Sequence, residues 1–184
     1  MTTLPTVFIT GASSGIGATY AERFARRGHD LVLVARNKSR LDALAMRLRE
    51  QHQIAVEVLQ ADLTNSAELP ALETRLRHDA RIGILINNAG MPQSGHFLEQ
   101  SPEAIESQIA LNITALTRLA AAIAPRLAQS GTGSIVNIGS VVGFSPEFGI
   151  SLYGATKAYV LFLSQGLAHE LSPQGVYVQA VLPA

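Results

Sequence analysis

The stretch Thr6-Val-Phe-Ile-Thr-Gly-Ala-Ser-Ser-Gly-Ile-Gly17 joins a short apolar run, rich in β-branched residues, to a glycine-rich turn. Beyond the turn, Ile16, Tyr20 and Phe24 recur at spacings of four, which is typical of one face of a helix. The stretch therefore predicts a strand over its first five residues and a helix that starts near Gly15. Glycines permit a tight turn and close backbone approach, and a helix N-terminus offers free N–H groups, so this junction is suited to bind an anion.

The rest of the chain repeats this alternation of short apolar strands and helical patterns. Further strands are predicted at Leu31–Ala35, Ala55–Gln60, Gly83–Asn87, Ser134–Ile138 and Val176–Leu182, and further helices at Lys38–His52, Ser66–His78, Pro102–Ala128 and Leu152–Leu171. Such alternation predicts an α/β fold in which helices cover both faces of a parallel sheet. The sequence contains no linker, repeat or low-complexity tract, so we expect a single domain over residues 1–184.

Composition narrows the class of protein. The 14 basic and 14 acidic residues cancel, so nothing indicates a nucleic-acid or membrane partner. The absence of cysteine excludes disulfides and thiolate metal sites, and the 5 histidines lack metal-ligand spacing. The apolar run Ile105–Leu127 is interrupted by Asn112, Arg118 and Pro125, which favours a core helix over a membrane span. Without a secretory signal pattern, we expect a cytoplasmic protein.

The glycine turn suits a dinucleotide in particular. Backbone N–H groups over Gly11–Gly17 can hold a pyrophosphate, although similar turns also occur as plain connectors. An NAD-binding chain carries an acid at the end of its second strand for the ribose 2′-OH, but here that end reads Val34-Ala35-Arg36-Asn37. Arg36 can pair with a 2′-phosphate, and Ser13 can add a hydroxyl. These residues favour NADP(H) over NAD(H), with a solvated loop residue as the simpler interpretation of Arg36.

Polar residues follow two further strands at the same edge of the predicted sheet. Asp62 follows the third strand, where it can accept from an adenine amino group or, equally well, cap the loop or helix that comes next. The segment Asn87-Asn-Ala-Gly90 follows the fourth strand, where it is either a simple turn or a place of close approach whose Asn side chains bridge backbone loops. Ligands bind at the carboxyl ends of parallel strands, so both segments are candidates for the site.

The run Tyr153-Gly-Ala-Thr-Lys157 adds a proton donor. Residues four apart share a helix face, and a cation beside a phenol lowers its pKa towards the range of a general acid/base. Ser140 follows the fifth strand and either donates to a substrate carbonyl oxygen or serves only the loop. Asn112 lies mid-helix, where it binds a core water, bends the helix or holds a relay water beside Lys157. With a dinucleotide, Tyr153 predicts a carbonyl/alcohol oxidoreductase.

Taken together, the motifs resemble the classical short-chain dehydrogenases/reductases. The matching residues, all in family order, are Thr10-Gly-x-x-x-Gly-Ile-Gly17, Asp62, Asn87-Asn-Ala-Gly90, Asn112, Ser140 and Tyr153-x-x-x-Lys157. The resemblance implies a Rossmann-like, doubly wound parallel sheet in three α/β/α layers. It also implies NADP(H)-dependent interconversion of a small-molecule carbonyl and an alcohol by hydride transfer. Members assemble as homodimers or homotetramers through the helices predicted at Pro102–Ala128 and Leu152–Leu171.

The resemblance implies a role for each matching residue. Tyr153 is expected to be the general acid/base, and Lys157 to lower its pKa and bind the nicotinamide ribose. Ser140 is expected to orient the carbonyl, and Asn112 to support a proton relay. The expected cofactor-binding residues are Gly11, Ser13, Ser14, Gly15, Ile16, Gly17, Arg36, Asp62, Leu63, Asn88, Ala89, Gly90, Tyr153 and Lys157, and no metal is expected.

One departure from the family pattern bears on activity. Members continue after the sixth strand into a substrate-covering loop, helices and a seventh strand, whereas this sequence ends at Pro183-Ala184. We therefore expect a trimmed form that lacks the family's C-terminal strand and lid. A non-catalytic dinucleotide-binding module and an inactive fragment of a longer reductase are the alternatives. The motifs leave the substrate open, because its pocket is expected to form from the loops Gly90–Gln100 and Val141–Ile150 and mostly from the C-terminal region that the sequence lacks.

Overall fold

The structure, a computed structural model, describes residues 4–92 and 95–184, so residues 1–3 of the predicted domain and Gln93 and Ser94 of the predicted pocket loop lie outside it. In the described residues, six strands form one parallel sheet: β1 (Thr6–Thr10), β2 (Leu31–Ala35), β3 (Val56–Gln60), β4 (Ile82–Asn87), β5 (Gly133–Ile138) and β6 (Val176–Val181). Their order across the sheet is β3-β2-β1-β4-β5-β6. The chain winds outward from β1 on both sides, so the strand order switches between β1 and β4, where open α/β sheets bind their ligands.

Helices cover both faces of this sheet. They are α1 (Gly15–Ala25), α2 (Lys38–His52), α3 (Leu69–His78), α4 (Pro102–Ile109), α5 (Leu116–Ser130) and α6 (Ser151–Leu171). Apolar side chains of α1 and α2 pack on one face, together with Val7 and Ile9 of β1. Those of α3, α5 and α6 pack on the other face, together with Phe8. Successive side chains of β1 thus serve opposite faces, and the predicted three-layer α/β/α fold is confirmed.

The central strands owe their position to their composition. β1 is buried along its whole length, and four of the five residues of β2 are also buried. Parallel strands covered by helices on both faces read as continuous apolar runs, which is how these segments read in the sequence. Burial of a side chain such as Phe8 stabilises the fold by roughly 1.5–3 kcal/mol relative to leaving it exposed.

One predicted boundary is wrong by three residues, because α3 begins at Leu69 rather than Ser66. The side chains before Leu69 bond within the loop instead of starting a helix. Asn65 Oδ1 accepts from the N–H of Ala67 at 3.0 Å, and Glu68 Oε2 accepts from the N–H of Asp62 at 2.8 Å. Such side chain-to-backbone bonds compete with helical ones. The other element ends agree with the prediction to within about two residues, which is the usual spread at frayed ends.

A π-helical segment over Ala110–Ala115 interrupts the run that was predicted as one helix and separates α4 from α5. Asn112 lies within this segment and is buried. A π turn inserts an extra residue into a helix and is frequent at functional sites. Of the alternatives for Asn112, the structure therefore supports a local irregularity of the helix.

The helical run Pro102–Ser130 is long and apolar enough to cross a membrane by length and composition alone. Half of its apolar window is buried inside the fold, where Leu119 and Ile123 belong to the core under the sheet. The run therefore packs as a core helix, as its interrupted apolar pattern predicted.

Candidate active site

A cleft of about 620 Å³ lies at the carboxyl ends of the central strands. Thirteen predicted site residues line it: Gly11, Ser13, Ser14, Ile16, Arg36, Asp62, Leu63, Asn88, Ala89, Gly90, Ser140, Tyr153 and Lys157. The remaining three do not. Gly15 opens α1, Gly17 is buried in its first turn, and Asn112 is buried in the π segment. The loops after β1 to β5 thus bring most of the predicted residues into one space.

The glycine turn has the backbone shape that its sequence predicted. Gly11 has φ 64° and Gly15 has φ 55°, both in the left-handed region that favours glycine. The turn and the first residues of α1 border the cleft, so the free N–H groups and the positive dipole end of α1 lie beside it.

Asn88 fixes the turn from the neighbouring strand. Its Nδ2 donates to the carbonyl oxygens of Thr10 at 3.0 Å and Gly11 at 3.1 Å. The hydroxyl of Thr10 accepts from the N–H groups of Asn88 and Ala89, each at 3.0 Å. The predicted bridging of backbone loops is confirmed for Asn88, whereas Asn87 is buried and donates to Asn137 Oδ1 at 3.0 Å.

Gly17 allows α1 to pack tightly against the turn. A Cβ at Gly17 would overlap the carbonyl oxygen of Gly11 and Nδ2 of Asn88. We expect Gly17→Ala to lower the free energy of unfolding by about 1–3 kcal/mol, because overpacking displaces both groups. A Cβ at Gly166 in α6 would meet no atom within 4 Å, so the control Gly166→Ala should gain about 0.5–1 kcal/mol. Urea unfolding measures all three proteins, and a Gly17→Ala variant as stable as the parent would contradict this packing.

The loop after β2 brings two cations to the cleft, since Arg36 and Arg40 both line it. Asn37, between them, caps α2: its Oδ1 accepts from the N–H of Arg40 at 3.0 Å. Neither Asn37 nor Arg40 was predicted as a site residue. The spacing of four between the arginines, at the start of a predicted helix, is the signal that would have revealed Arg40. Two guanidinium groups favour a doubly charged anion such as a phosphate.

Asp62 serves the loop and also lines the cleft. Its Oδ1 accepts from the N–H and the hydroxyl of Thr64 at 2.9 and 2.8 Å, which is the capping alternative. Burial raises the pKa of Asp62, but the bonds from Thr64 and the charge of Arg36 outweigh burial, so the net direction is downward. The carboxylate is therefore ionised at neutral pH and available as an acceptor in the cleft.

The cleft is also lined by Ser140, Tyr153 and Lys157. Lys157 Nζ lies 5.5 Å from the centroid of the Tyr153 ring, so the predicted shared helix face is confirmed. Ser140 Oγ donates to the carbonyl oxygen of Pro183 and accepts from the N–H of Val142, each at 3.4 Å. A side-chain hydrogen bond also links Ser140 to Tyr153.

Burial and Ser140 account for the direction of the Tyr153 pKa, and its lowering by Lys157 stays a prediction. Burial raises the pKa of Tyr153, the hydrogen bond with Ser140 lowers it in part, and the net direction is above the ordinary value of 10.0. Burial lowers the pKa of Lys157 to about 8, and its Nζ donates to the carbonyl oxygen of Ile138 at 2.8 Å. The ammonium bonds to a carbonyl oxygen, and the hydrogen bond from Ser140 favours the phenolate of Tyr153.

Asn112 acts on the backbone behind the cleft. Its Oδ1 accepts from the N–H of Met91, and its Nδ2 donates to the carbonyl oxygen of Met91, both at 2.9 Å. Met91 lines the cleft next to Gly90, so Asn112 shapes the lining without belonging to it. In residues 4–92 and 95–184, no group of three or more His, Asp or Glu side chains is placed to hold a metal ion.

Residues 5–184 match the sequence model of a family described as short chain dehydrogenase. The parallel sheet, the glycine turn and the Ser140, Tyr153 and Lys157 cluster agree with that match. The chain belongs to the short-chain dehydrogenase family.

Solved structures and curated proteins give the same family. The chain is 78% identical to a short-chain dehydrogenase from Sphingobium yanoikuyae in complex with NADPH, with a TM-score of 0.98 over 98% of this chain and 71% of that chain. It is 68% identical to a bulky-bulky ketone specific alcohol dehydrogenase from Comamonas testosteroni, with a TM-score of 0.98 over 100% of this chain and 73% of that chain. It is 34% identical to the very-long-chain 3-oxoacyl-CoA reductase-B of Danio rerio, over 95% of this chain and 57% of that relative, so it spans little more than half of that protein.

Proposed function

We propose that this chain is an NADP(H)-dependent oxidoreductase that interconverts a ketone and a secondary alcohol. The observation that supports this most is that Ser140, Tyr153 and Lys157 line the same cleft as the glycine turn and Arg36. A proton donor suited to a carbonyl oxygen and a turn suited to a pyrophosphate thus share one space. The NADPH complex of the relative from Sphingobium yanoikuyae supports the choice of cofactor.

The residues of the cleft fit a dinucleotide phosphate. The turn has no side chain at Gly11 and Gly15, and the N-terminus of α1 supplies N–H groups for a pyrophosphate. Arg36 and Arg40 would hold a 2′-phosphate, and the ionised Asp62 would accept from an adenine amino group. Bound there, NADP(H) would supply the hydride.

The side chains would manage the proton on the substrate oxygen. Tyr153 carries the phenolic proton that this oxygen receives, and its raised pKa keeps the phenol protonated at neutral pH, ready as an acid. Ser140 Oγ, by turning from the carbonyl oxygen of Pro183, would donate to the same oxygen as negative charge builds there. Lys157, fixed by its bond to Ile138, keeps a positive charge beside the ring below a pH of about 8.

We infer the substrate class from the 68% identical relative, which is described as specific for bulky-bulky ketones. The chain is therefore expected to reduce ketones with a bulky group on each side. The test follows loss of NADPH absorbance with a diaryl ketone, a small dialkyl ketone and a 3-oxoacyl thioester. Preference for the diaryl ketone supports the assignment, and preference for the thioester would replace it. Binding of NADPH without reduction of any of these would favour a non-catalytic dinucleotide-binding module.

The two arginines at the cleft should decide between the nucleotides. We expect Arg36→Ala and Arg40→Ala each to weaken NADPH binding about tenfold and to leave NADH binding within about twofold, because only NADPH has the 2′-phosphate that a guanidinium binds. Arg81→Ala is the matched control, since Arg81 is highly exposed, pairs with Asp79 and precedes β4 at the opposite edge of the sheet. Titration by nucleotide fluorescence measures all four proteins. Equal losses for NADPH and NADH would show that these arginines do not read the 2′-phosphate.

We further infer a homodimer or homotetramer in the cytoplasm. Phe162 on α6 is 80% exposed, and Tyr159 on the same helix is 36% exposed. Large apolar side chains grouped at the surface are typical of association sites. A chain without cysteine is compatible with a reducing compartment. Light scattering tests the assembly, and a monomeric mass at all concentrations would contradict it.

A further inference from the structure

Buried amide side chains bond to both the N–H and the carbonyl oxygen of Met91. Asn112 bonds to its N–H and to its carbonyl oxygen, as described above. Gln108, one turn earlier on α4, adds a second donor: its Nε2 lies 3.3 Å from the carbonyl oxygen of Met91. Gln108 is only 2% exposed and Asn112 only 1%. The carbonyl oxygen of a cleft-lining residue is therefore fixed by two amides from the helix behind it.

The same network continues into α6. Asn112 Nδ2 also donates to the hydroxyl of Thr156 at 3.1 Å. The hydroxyl of Thr156 in turn donates to the backbone carbonyl oxygen of Tyr153 at 2.8 Å. Thr156 is 1% exposed and directly precedes Lys157. An unbroken chain of hydrogen bonds thus runs from Gln108 through Met91 and Asn112 to the turn of α6 that carries Tyr153 and Lys157.

This chain of bonds lies where the loop after β4 meets Lys157. A Cβ placed on Gly90 would lie 3.3 Å from Asn112 Oδ1 and 3.5 Å from Lys157 Nζ. The space beside the backbone of Gly90 is therefore bounded by the amine, and Met91 is the next residue. A small shift of Met91 would change the gap between the loop and Lys157.

Burial of the Gln108 amide lowers the stability of the fold, and its packing does not explain why an amide stands there. Its Oε1 is buried and has no hydrogen-bond partner among the described residues. A buried acceptor without a partner destabilises a fold, so an apolar side chain of similar size would serve stability better at this position. The amide is useful through its other end, where Nε2 holds Met91.

We propose that Gln108 and Thr156 are positioning residues which, through the peptide of Met91 and the side chain of Asn112, fix the loop at Gly90 against the Tyr153–Lys157 pair. The proposal rests on the proposed function for its catalytic consequence, but the geometry that it assigns can be tested without turnover. Loosening either end would let the loop move away from Lys157 and admit water to the amine.

The test uses Gln108→Leu, which removes one hydrogen bond, and Thr156→Val, which removes two, each with little change in volume. Lys38 and Lys157 are the 2 lysines of the sequence, so lysine-selective ¹⁵N NMR follows the titration of Lys157 with one other signal to assign. We expect its titration midpoint to rise towards that of a free lysine in both variants, because water replaces the packed loop. Turnover of a bulky ketone should fall about tenfold, since small misplacements in a site cost rate.

Ser164→Ala is the matched control. Ser164 is a buried hydroxyl on the same helix, bonded to Asn137 and to Val160 away from the cleft, so its loss should lower stability without moving the Lys157 titration. Thr156→Ser keeps the hydroxyl, so the titration of Lys157 in this variant should match that of the parent. This comparison can be made even if Thr156→Val does not fold. Gln108→Leu is expected to unfold at or above the temperature of the parent.

A parent-like Lys157 titration in both Gln108→Leu and Thr156→Val would overturn the proposal, as would an equal shift in Ser164→Ala. Failure of the proposed function is a separate result. If the parent reduces no ketone, the oxidoreductase assignment fails, while the Lys157 titration still decides whether these two residues hold the loop.

Discussion

Tyr153→Phe should lower turnover of a ketone by at least about 10³-fold, while NADPH affinity stays within about twofold. The substitution removes a single oxygen from a half-buried ring and leaves the ring to pack as before. General acid catalysis contributes roughly 10²–10⁴ in rate, and no other phenol lines the cleft in the part of the chain that the structure describes. Steady-state kinetics with NADPH and a bulky ketone, together with a nucleotide titration, measures both quantities.

Tyr159→Phe provides the control for Tyr153→Phe. Tyr159 lies on the same helix, but its hydroxyl pairs with that of Thr117 at 3.0 Å and takes no part in the cleft lining. Its loss should leave turnover within about twofold of the parent, since neutral hydrogen bonds at half-exposed sites contribute little. A Tyr153→Phe variant that keeps more than about a tenth of the parent rate would exclude the phenol as the proton donor.

Lys157→Met should lower turnover strongly, because it removes the positive charge beside the Tyr153 ring, and yet stabilise the fold near neutral pH. Burial lowers the pKa of Lys157 from 10.5 to about 8, so between these values the unfolded chain holds a proton that the folded chain lacks. Stability of the parent therefore rises with pH across this window, and the full cost of the buried ammonium is present below a pH of about 8. The lowered pKa of the ammonium corresponds to a cost on the order of 2–3 kcal/mol.

Denaturant unfolding at several pH values checks this expectation. Lys157→Met should exceed the parent by about 2 kcal/mol near pH 7, and the difference should shrink as the pH rises towards 10.5. Lys38→Met is the control, because Lys38 is an exposed lysine paired with Asp42 and should show neither effect. A pH-independent difference between Lys157→Met and the parent would mean that the amine is not held in a desolvated place.

The fold could be predicted closely because its signals are local. Apolar runs such as Thr6–Thr10 mark strands that are buried on both faces, and the glycine turn after it marks the start of α1. The start of α3 could not be predicted, because it depends on side-chain bonds of Asn65 and Glu68 that compete with the helix. The π-helical segment at Asn112 could not be predicted for a different reason. Its residue Asn112 bonds to the backbone of Met91, which is 21 residues away in the sequence.

The sequence predicted which residues form the candidate site, but not which groups they bond to. Tyr153 and Lys157 could be placed together from their spacing, whereas the partner of Lys157, the carbonyl oxygen of Ile138, lies on a strand 19 residues earlier. Burial, which sets the direction of both pKa shifts, is a property of the packed molecule rather than of the motif. In the sequence, Gln108 is one more polar residue on a predicted helix. Its positioning role is indicated only by the distance from its Nε2 to the carbonyl oxygen of Met91.

The bonds between Asn88 and the glycine turn have a consequence for the order of folding. They join residues 77 or 78 positions apart, whereas the pairing of β1 with β2 needs far less of the chain. A partly folded chain in which only β1 and β2 have paired therefore has the turn in its sequence but lacks the amide that shapes it. The glycine turn is completed only when β4 docks beside β1, and we expect this step to be late because it closes a long loop. A nucleotide that binds the completed turn would stabilise only chains in which β4 has docked. It would therefore shift the folding equilibrium towards the native state.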